Sequence, residues 1–390
     1  MIKSIPPGAW LGLLGGGQLG RMFCMAAQSL GYKVVVLDPD SDSPAGSVAD
    51  RHIRADYLDP QGLADLAAVA SAATTEFENV PATALEFLAR TARVTPSAAS
   101  VAIAQDRISE KMFLAGHGFA VAPFAVLRSV NDVRKIDDRL LPGIVKSARF
   151  GYDGKGQASV SSRVDVEAAW RTMKGLPCVL EQRVALSCEV SVIVARDERH
   201  ETVTWPVAEN VHRDGILDVS IVPARISADL AGQARDIATR IAAALDYRGV
   251  LCVEMFVAGD GALLVNEIAP RPHNSGHYTI DACVTSQFEQ QARVLANLPL
   301  GETRQHTPAV MVNLLGDLWF NGPAAKAPRE PAWREVLKEP QAKLHLYGKA
   351  EPRRARKMGH VTCLGATLDD AIATARSVKR TLAIPGADEF

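Results

Sequence analysis

Residues 250–269 read VLCVEMFVAGDGALLVNEIA. Two apolar runs flank Asp260-Gly261, a dipeptide that favours a two-residue type I′ hairpin turn. In that register Gly259 faces Ala262, and counting outward sets Glu254 directly opposite Glu267. Directly opposed residues have Cβ atoms roughly 4.5–5.5 Å apart, where like charges repel. Two carboxylates facing each other among Val, Met, Phe and Ile require a proton or a cation. Such oxygen ligands suit Mg²⁺, which takes one or two carboxylates together with substrate phosphates. A protonated glutamate or a slipped register is the plainer alternative.

The flanks of this hairpin point to anions. Directly after it comes PRPHNSGHYT, residues 270–279, with Arg271, His273, Asn274, Ser275 and His277 crowded together. Such a loop fits an anion beside a metal, or simply a polar surface turn. Upstream, Lys146 ends a strand-like run and is followed by GYDGKGQ, Gly151–Gln157. A glycine loop offers several backbone N–H groups to phosphate oxygens, and Lys155 adds charge. It is not a P-loop, because G-x-x-x-x-G-K-[ST] is absent. A plain hairpin is its other reading.

The N-terminus carries a competing signal. WLGLL (10–14) reads as a buried strand, Gly15, Gly17 and Gly20 satisfy G-x-G-x-x-G before a helix, and KVVVL (33–37) ends at Asp38. That is the dinucleotide fingerprint in its usual βαβ setting. Its physics is general, since close backbone approach and a helix N-terminus serve any anion. An NAD-dependent oxidoreductase built on it leaves the carboxylate hairpin and the second glycine loop unexplained.

Bulk properties set the outer limits. A chain of 390 residues exceeds one compact core. A formal net charge of -1 argues against a general nucleic-acid binder. The six cysteines show no metal or disulfide spacing, which fits a reducing compartment. No apolar run reaches the roughly 18 residues of a membrane span, and the expectation is a cytoplasmic protein with no membrane partner. A Pro-rich connection, Pro323–Pro331, leads to a tail rich in Lys and Arg.

GGGQLGRM near the N-terminus, QDR (105–107), Lys146, GYDGKGQ, EQRV (181–184), Glu189, NEIAPRPHNSGHYT, YGK (347–349) and RKMGH (356–360) together resemble the 5-(carboxyamino)imidazole ribonucleotide synthases of the ATP-grasp superfamily. The resemblance implies a fold mixing α/β and α+β in three parts. These are an N-terminal Rossmann-like substrate-binding domain at 1–110, an ATP-grasp domain at 111–305 and a small C-terminal domain at 306–390. It further implies that Arg107 and Lys146 touch ATP phosphates, with Gly151, Tyr152, Asp153, Gly154, Lys155, Gly156 and Gln157 closing over them as a lid. Glu181, Gln182, Arg183 and Val184 would flank the adenine, with Glu189 on the ribose. His212, Phe256, Asn266 and Glu267 would complete the nucleotide site, and Glu254 and Glu267 would hold Mg²⁺. Gln18, Leu19 and Glu76 would line the ribonucleotide site with Tyr152 and Asp153, while Lys349 and Arg356 hold its 5′-phosphate. The remaining basic tail residues, Lys343, Arg353, Arg354 and Lys357, read as a solvated face.

For chemistry, the resemblance implies that Arg271 binds bicarbonate, with Tyr152, Asp153, His273 and Asn274 around the reacting groups. Asp153 would accept the amine proton or serve only its loop. The implied reaction phosphorylates bicarbonate with ATP and transfers the carboxyl group to the amine of aminoimidazole ribonucleotide, and the resemblance further implies a homodimer. One position departs from the wider grasp pattern, because Ala269 stands where many relatives have an Asn metal ligand. Another ATP-grasp ligase with a different acceptor, or a nucleotide sensor without turnover, stands as the alternative.

Overall fold

The run WLGLL forms a strand, Trp10–Leu14, whose buried leucines lie at the centre of a five-stranded parallel sheet. The computed structural model describes residues 3–149, 151, 156–320 and 327–390. Strand order in this sheet is 51–53, 33–37, 10–14, 72–75, 93–94. The strand Ala72–Thr75 carries no strong sequence signal, being short and built of Ala and Thr, yet every residue in it is buried. The helix that follows it, Ala82–Leu88, buries Ala84, Leu85 and Leu88.

The first glycine loop is occupied by the protein itself. Gly16 N–H donates to Asp38 Oδ2 at 2.7 Å, and Gly17 and Gly20 N–H donate to the two carboxylate oxygens of Glu76 at 2.7 and 2.8 Å. The donors that would take a dinucleotide pyrophosphate thus hold carboxylates, one at the start of the helix Gln18–Ser29. The glycines are needed for this approach. A Cβ on Gly17 would stand 2.2 Å from Glu76 Oε1, and one on Gly16 would stand 2.7 Å from Asp38 Cγ.

A four-stranded antiparallel sheet follows, ordered 124–127, 178–182, 143–147, 157–160. Helices Val130–Arg134 and Arg163–Thr172 cover it, burying Val133, Val166 and Ala169 against Val145 and Leu180. A nine-stranded sheet carries the rest. Its order is 263–269, 249–258, 186–196, 208–213, 216–222, 309–315, 357–364, 342–346, with 202–204 paired separately to 186–196. The helix Ala228–Ala244 lays Ala234, Ala238 and Ile241 on Val190, Val192 and Val253. Strand Ile216–Val222 pairs directly with Ala309–Leu315, so one hydrogen-bonded ladder runs through the expected boundary near 305.

The carboxylate hairpin forms, and Glu254 faces Glu267, but by another route than a two-residue turn. Ala258 N–H donates to Ala262 O at 2.9 Å and Gly261 N–H to Ala258 O at 2.8 Å, with Gly261 at φ +86°. This is a three-residue loop with Gly in the left-handed position. It offsets the pairing by one residue, placing Met255 opposite Val265. A bulge at Asn266 then restores the register, so Glu254 meets Glu267. Two offsets of one residue cancel.

Gly17→Ala should therefore destabilise the protein by about 1–3 kcal/mol, the usual cost of forcing extra volume into a packed site. Gly232→Ala, in an open part of a helix with nothing within 4 Å of the added carbon, should instead stabilise by about 0.5–1 kcal/mol. Urea midpoints at unchanged slope measure both; equal shifts in the two variants would contradict the packing described for the loop.

Candidate active site

A cleft of about 400 Å³ opens between the four-stranded and nine-stranded sheets. It is lined by Arg107 and Lys146, by Gly151, Gly156 and Gln157, by Glu181, Gln182, Arg183, Val184, Glu189 and His212, and by Glu254, Phe256, Asn266, Glu267, Arg271, His273 and Asn274. The structure thus gathers these sequence-selected residues around one space. Tyr152, Asp153, Gly154 and Lys155 lie outside the described residues.

The carboxylate pair dominates the electrostatics of this cleft. Burial, and then the Glu267 charge, push the Glu254 carboxyl up. Burial works the same way on Glu267, but Arg107 at 3.1 Å and Lys146 hold it below the usual carboxylate range. His273 Nε2 stands 3.2 Å from Glu254 Oε1. On the far wall, His212 Nδ1 is 3.0 Å from Glu189 Oε2; burial opposes its protonation, but Glu189 prevails and raises its pKa. Arg271 pairs with Glu78, which keeps a guanidinium fixed at the mouth of the carboxylate site.

The donor set fits a hard divalent cation. Glu254 and Glu267 face each other, and Asn266 Oδ1 and Glu181 Oε1 are buried without a hydrogen-bond partner among the described residues. Asn274 Nδ2 and Oδ1 are likewise unpartnered. Cys252 Sγ also approaches within 4.8 Å of ligand atoms of Glu254 and His273. Burial pushes that thiol up, and a hard cation such as Mg²⁺ prefers the oxygen atoms.

One helix holds the bulge, and sequence reading missed two of its three contacts. Helix Arg107–Gly116 starts on Asp106, whose carboxylate accepts from Ile108 and Ser109 N–H. From it Arg107 reaches Glu267, Glu110 Oε1 accepts from Ile268 N–H at 2.6 Å, and Lys111 Nζ donates to Asn266 O at 2.9 Å. The side chains replace ladder bonds that the bulge disrupts. Lys111 Nζ also lies 3.2 Å from Glu181 Oε2, which Lys146 Nζ approaches to 3.1 Å. The available signal was helical spacing: positions 107, 110 and 111 share one face.

The second set of predicted residues lies away from the cleft lining. Glu76 and Leu19 are buried under the first glycine loop, with Gln18 opening the following helix. The C-terminal segment folds back toward them: Tyr347 joins the core cluster of Leu19 and Phe23, and Gly348 sits against the Arg21 guanidinium. Lys349 Nζ donates to Lys357 O at 2.6 Å, and Arg356 Nη1 to Glu351 O at 2.9 Å. Lys357 corrects the sequence reading. It lines the cleft with Glu254, Arg271 and His273 rather than standing on a solvated face, because it begins the strand Lys357–Leu364, which pairs with Ala309–Leu315.

Three family models match the chain: the ribonucleotide synthetase preATP-grasp domain over residues 9–105, the ATP-grasp domain over 112–288, and the phosphoribosylaminoimidazole carboxylase C-terminal domain over 309–374. The N5-carboxyaminoimidazole ribonucleotide synthase of Brucella melitensis is 48% identical over 365 residues, covering 92% of this chain and 97% of that protein. A crystal structure of an N5-carboxyaminoimidazole ribonucleotide synthetase with ADP superposes with a TM-score of 0.90 at 42% identity, covering 97% and 98% of the two chains. An Aspergillus clavatus synthase in complex with ADP and 5-aminoimidazole ribonucleotide gives a TM-score of 0.86 at 31% identity, covering 96% and 99%.

Glu110 yields a pH prediction. Burial above all, reinforced by Glu267 and opposed by Arg107, pushes its carboxyl from 4.5 up to about 8. The folded protein then keeps a proton that the unfolded chain has lost, so stability falls as pH rises between those two values. Glu110→Gln should flatten this dependence and gain relative stability toward about pH 8. Glu110→Leu should flatten the dependence too, but sit about 1–3 kcal/mol below Glu110→Gln at every pH, because Ile268 N–H loses its acceptor. Unfolding measured across that range without divalent cations decides; a Gln variant with the wild-type slope would refute the assignment.

Proposed function

The chain belongs to the N5-carboxyaminoimidazole ribonucleotide synthase family, and from that membership we propose that it carboxylates the amine of 5-aminoimidazole ribonucleotide with ATP and bicarbonate, giving ADP and phosphate. The observation that carries the reading is the single cleft in which Glu254, Glu267, Arg107, Lys146 and Arg271 converge. Two carboxylates and three cations in one space suit phosphoryl transfer to a small anion.

Bicarbonate is a poor electrophile, and an aminoimidazole amine is weakly basic. Transfer of the γ-phosphoryl group of ATP to bicarbonate gives carboxyphosphate, which carries a leaving group. Lys146 and Arg107 bind the phosphates and offset charge as it moves between oxygens. Glu254 and Glu267 would hold Mg²⁺, which when bound would supply neutralisation of phosphate charge. Arg271, fixed by Glu78, presents its guanidinium to bicarbonate, and His273 and Asn274 contribute polar atoms beside it. Glu189 and the segment 181–184 receive ribose and adenine, with His212 and Phe256 on the walls. Gln18, Leu19 and Glu76 meet the ribonucleotide, and Lys349 and Arg356 meet its phosphate. The carboxyl group then passes to the amine, with Asp153 and Tyr152 assigned to that step.

The same proposal places domain boundaries near residues 110 and 305 and makes the protein a cytoplasmic homodimer. Six free cysteines fit a reducing compartment, and no helix among the described residues is long and apolar enough to cross a membrane.

Two measurements test this reading. ATP hydrolysis should depend on bicarbonate and on 5-aminoimidazole ribonucleotide together, and Glu267→Gln should abolish most of it while the protein stays folded. Undiminished Mg²⁺-dependent turnover in that variant would remove Glu267 from the metal site. Separately, Arg356→Ala should weaken the ribonucleotide roughly 10- to 150-fold, the weight of a charge-assisted hydrogen bond. Its KM for ATP should stay near the wild-type value, and the dephosphorylated nucleoside should lose far less. Equal losses for nucleotide and nucleoside would show that Arg356 does not read the phosphate.

A further inference from the structure

Beneath His273, four buried polar side chains join end to end across the nine-stranded sheet. Ser220 Oγ donates to Asn210 Oδ1 at 2.8 Å, Asn210 Nδ2 to Ser191 Oγ at 2.9 Å, and Ser191 Oγ to Ser275 Oγ at 2.7 Å. Ser275 Oγ lies 2.9 Å from His273 Nδ1, and His273 Nε2 lies 3.2 Å from Glu254 Oε1. All four members of the row are buried, and Asn210 and Ser220 are direct cross-strand partners.

Hydroxyl groups alone would let this row point either way. A long main-chain contact favours one direction: Ser275 N–H donates to His273 Nδ1 at 3.3 Å, a weak bias toward a bare nitrogen that the hydroxyl row must reinforce to fix it. A neutral imidazole with bare Nδ1 carries its hydrogen on Nε2, facing Glu254. The row agrees with that polarity. Ser275 Oγ already accepts from Ser191, so its own hydrogen is left for Nδ1. Stability does not demand such a row, since apolar side chains of similar shape would fill a sheet interior at little cost. A fully satisfied buried polar chain fixes one arrangement.

We propose that Ser220, Asn210, Ser191 and Ser275 form a positioning relay that locks His273 in its Nε2–H tautomer and keeps a hydrogen-bond donor aimed at the Glu254 side of the cleft. The functional half of this inference rests on the reaction proposed above. With the opposite tautomer, a lone pair on Nε2 would face a carboxylate lone pair, and the ring would swing away from its station. Outer partners of this kind commonly set histidine orientation around a reactive centre.

The test uses the full chain with ¹⁵N-labelled histidine, His273 being assigned from His273→Gln. Wild type without ligands should show His273 with its hydrogen on Nε2 alone. Ser191→Ala should show both tautomers, while Ser191→Thr, which keeps a hydroxyl, should match wild type. In turnover, Ser191→Ala should lower kcat about tenfold, the weight of one hydrogen bond to a charged group, with KM for ATP within about twofold. Ser191→Thr should retain most of the rate. An unchanged tautomer in Ser191→Ala overturns the proposal, as does a lost tautomer with unchanged kcat, or equal losses in Ala and Thr variants that still melt cooperatively. The ring-nitrogen measurement needs no turnover, so it decides the relay even if the proposed reaction fails.

Discussion

Glu254 and Glu267 cannot face each other on adjacent strands without compensation, and much of the surrounding structure supplies it. Like charges at a directly opposed pair destabilise a sheet, and burial sharpens the conflict. Arg107 answers from one side and His273 from the other, while Lys146 and Lys357 raise the positive charge around the cleft. The pair exists only because Asn266 is inserted as a bulge, and the bulge is held by Glu110 and Lys111 from a helix far away in sequence. Remove the grip and the register has no reason to put these two carboxylates together. The repulsion is thus held in place by packing around it.

Much of this was legible in the chain, for unequal reasons. Apolar runs such as 10–14, 33–37 and 249–258 announce buried strands, and the facing of Glu254 and Glu267 followed from counting outward from a turn. That count succeeded through compensation, because the three-residue loop at Gly259–Gly261 and the bulge at Asn266 shift the register in opposite directions. Neither offset is visible in a hydrophobic pattern. Glu110 and Lys111 went unnoticed because a buried charge in a helix looks like a surface charge until its partner is known. Lys357 failed for the same reason: one lysine in a basic run differs from the others only by the strand it opens. Ala72–Thr75 escaped because Ala and Thr carry little strand signal, while its burial between two other strands is a tertiary fact.

The first glycine loop shows how one local design serves different ends. Backbone donors at Gly16, Gly17 and Gly20 would suit a dinucleotide, yet Asp38 and Glu76 fill them. The sequence motif encodes an anion cradle with no statement about which anion enters. Glu76 lies 59 residues beyond Gly17, at the end of a strand that itself lacks a signal. Only the folded sheet brings that carboxylate to the cradle, where the loop that reads as a cofactor fingerprint holds Glu76 in place.

The ladder between Ile216–Val222 and Ala309–Leu315 has a consequence for how such chains can be rearranged. A segment with its own sheet can be cut out and traded between genes as a cassette. Here the cut near 305 would strip a central strand of its neighbour and leave an open row of N–H and C=O groups, the template on which other chains pair and aggregate. The severed piece would expose the complementary row on Ala309–Leu315. Recombination between relatives is thus constrained by strand register: a transplanted tail must bring Val219 opposite Val312 again, or the hybrid opens two edges at a junction that is paired in the native sheet.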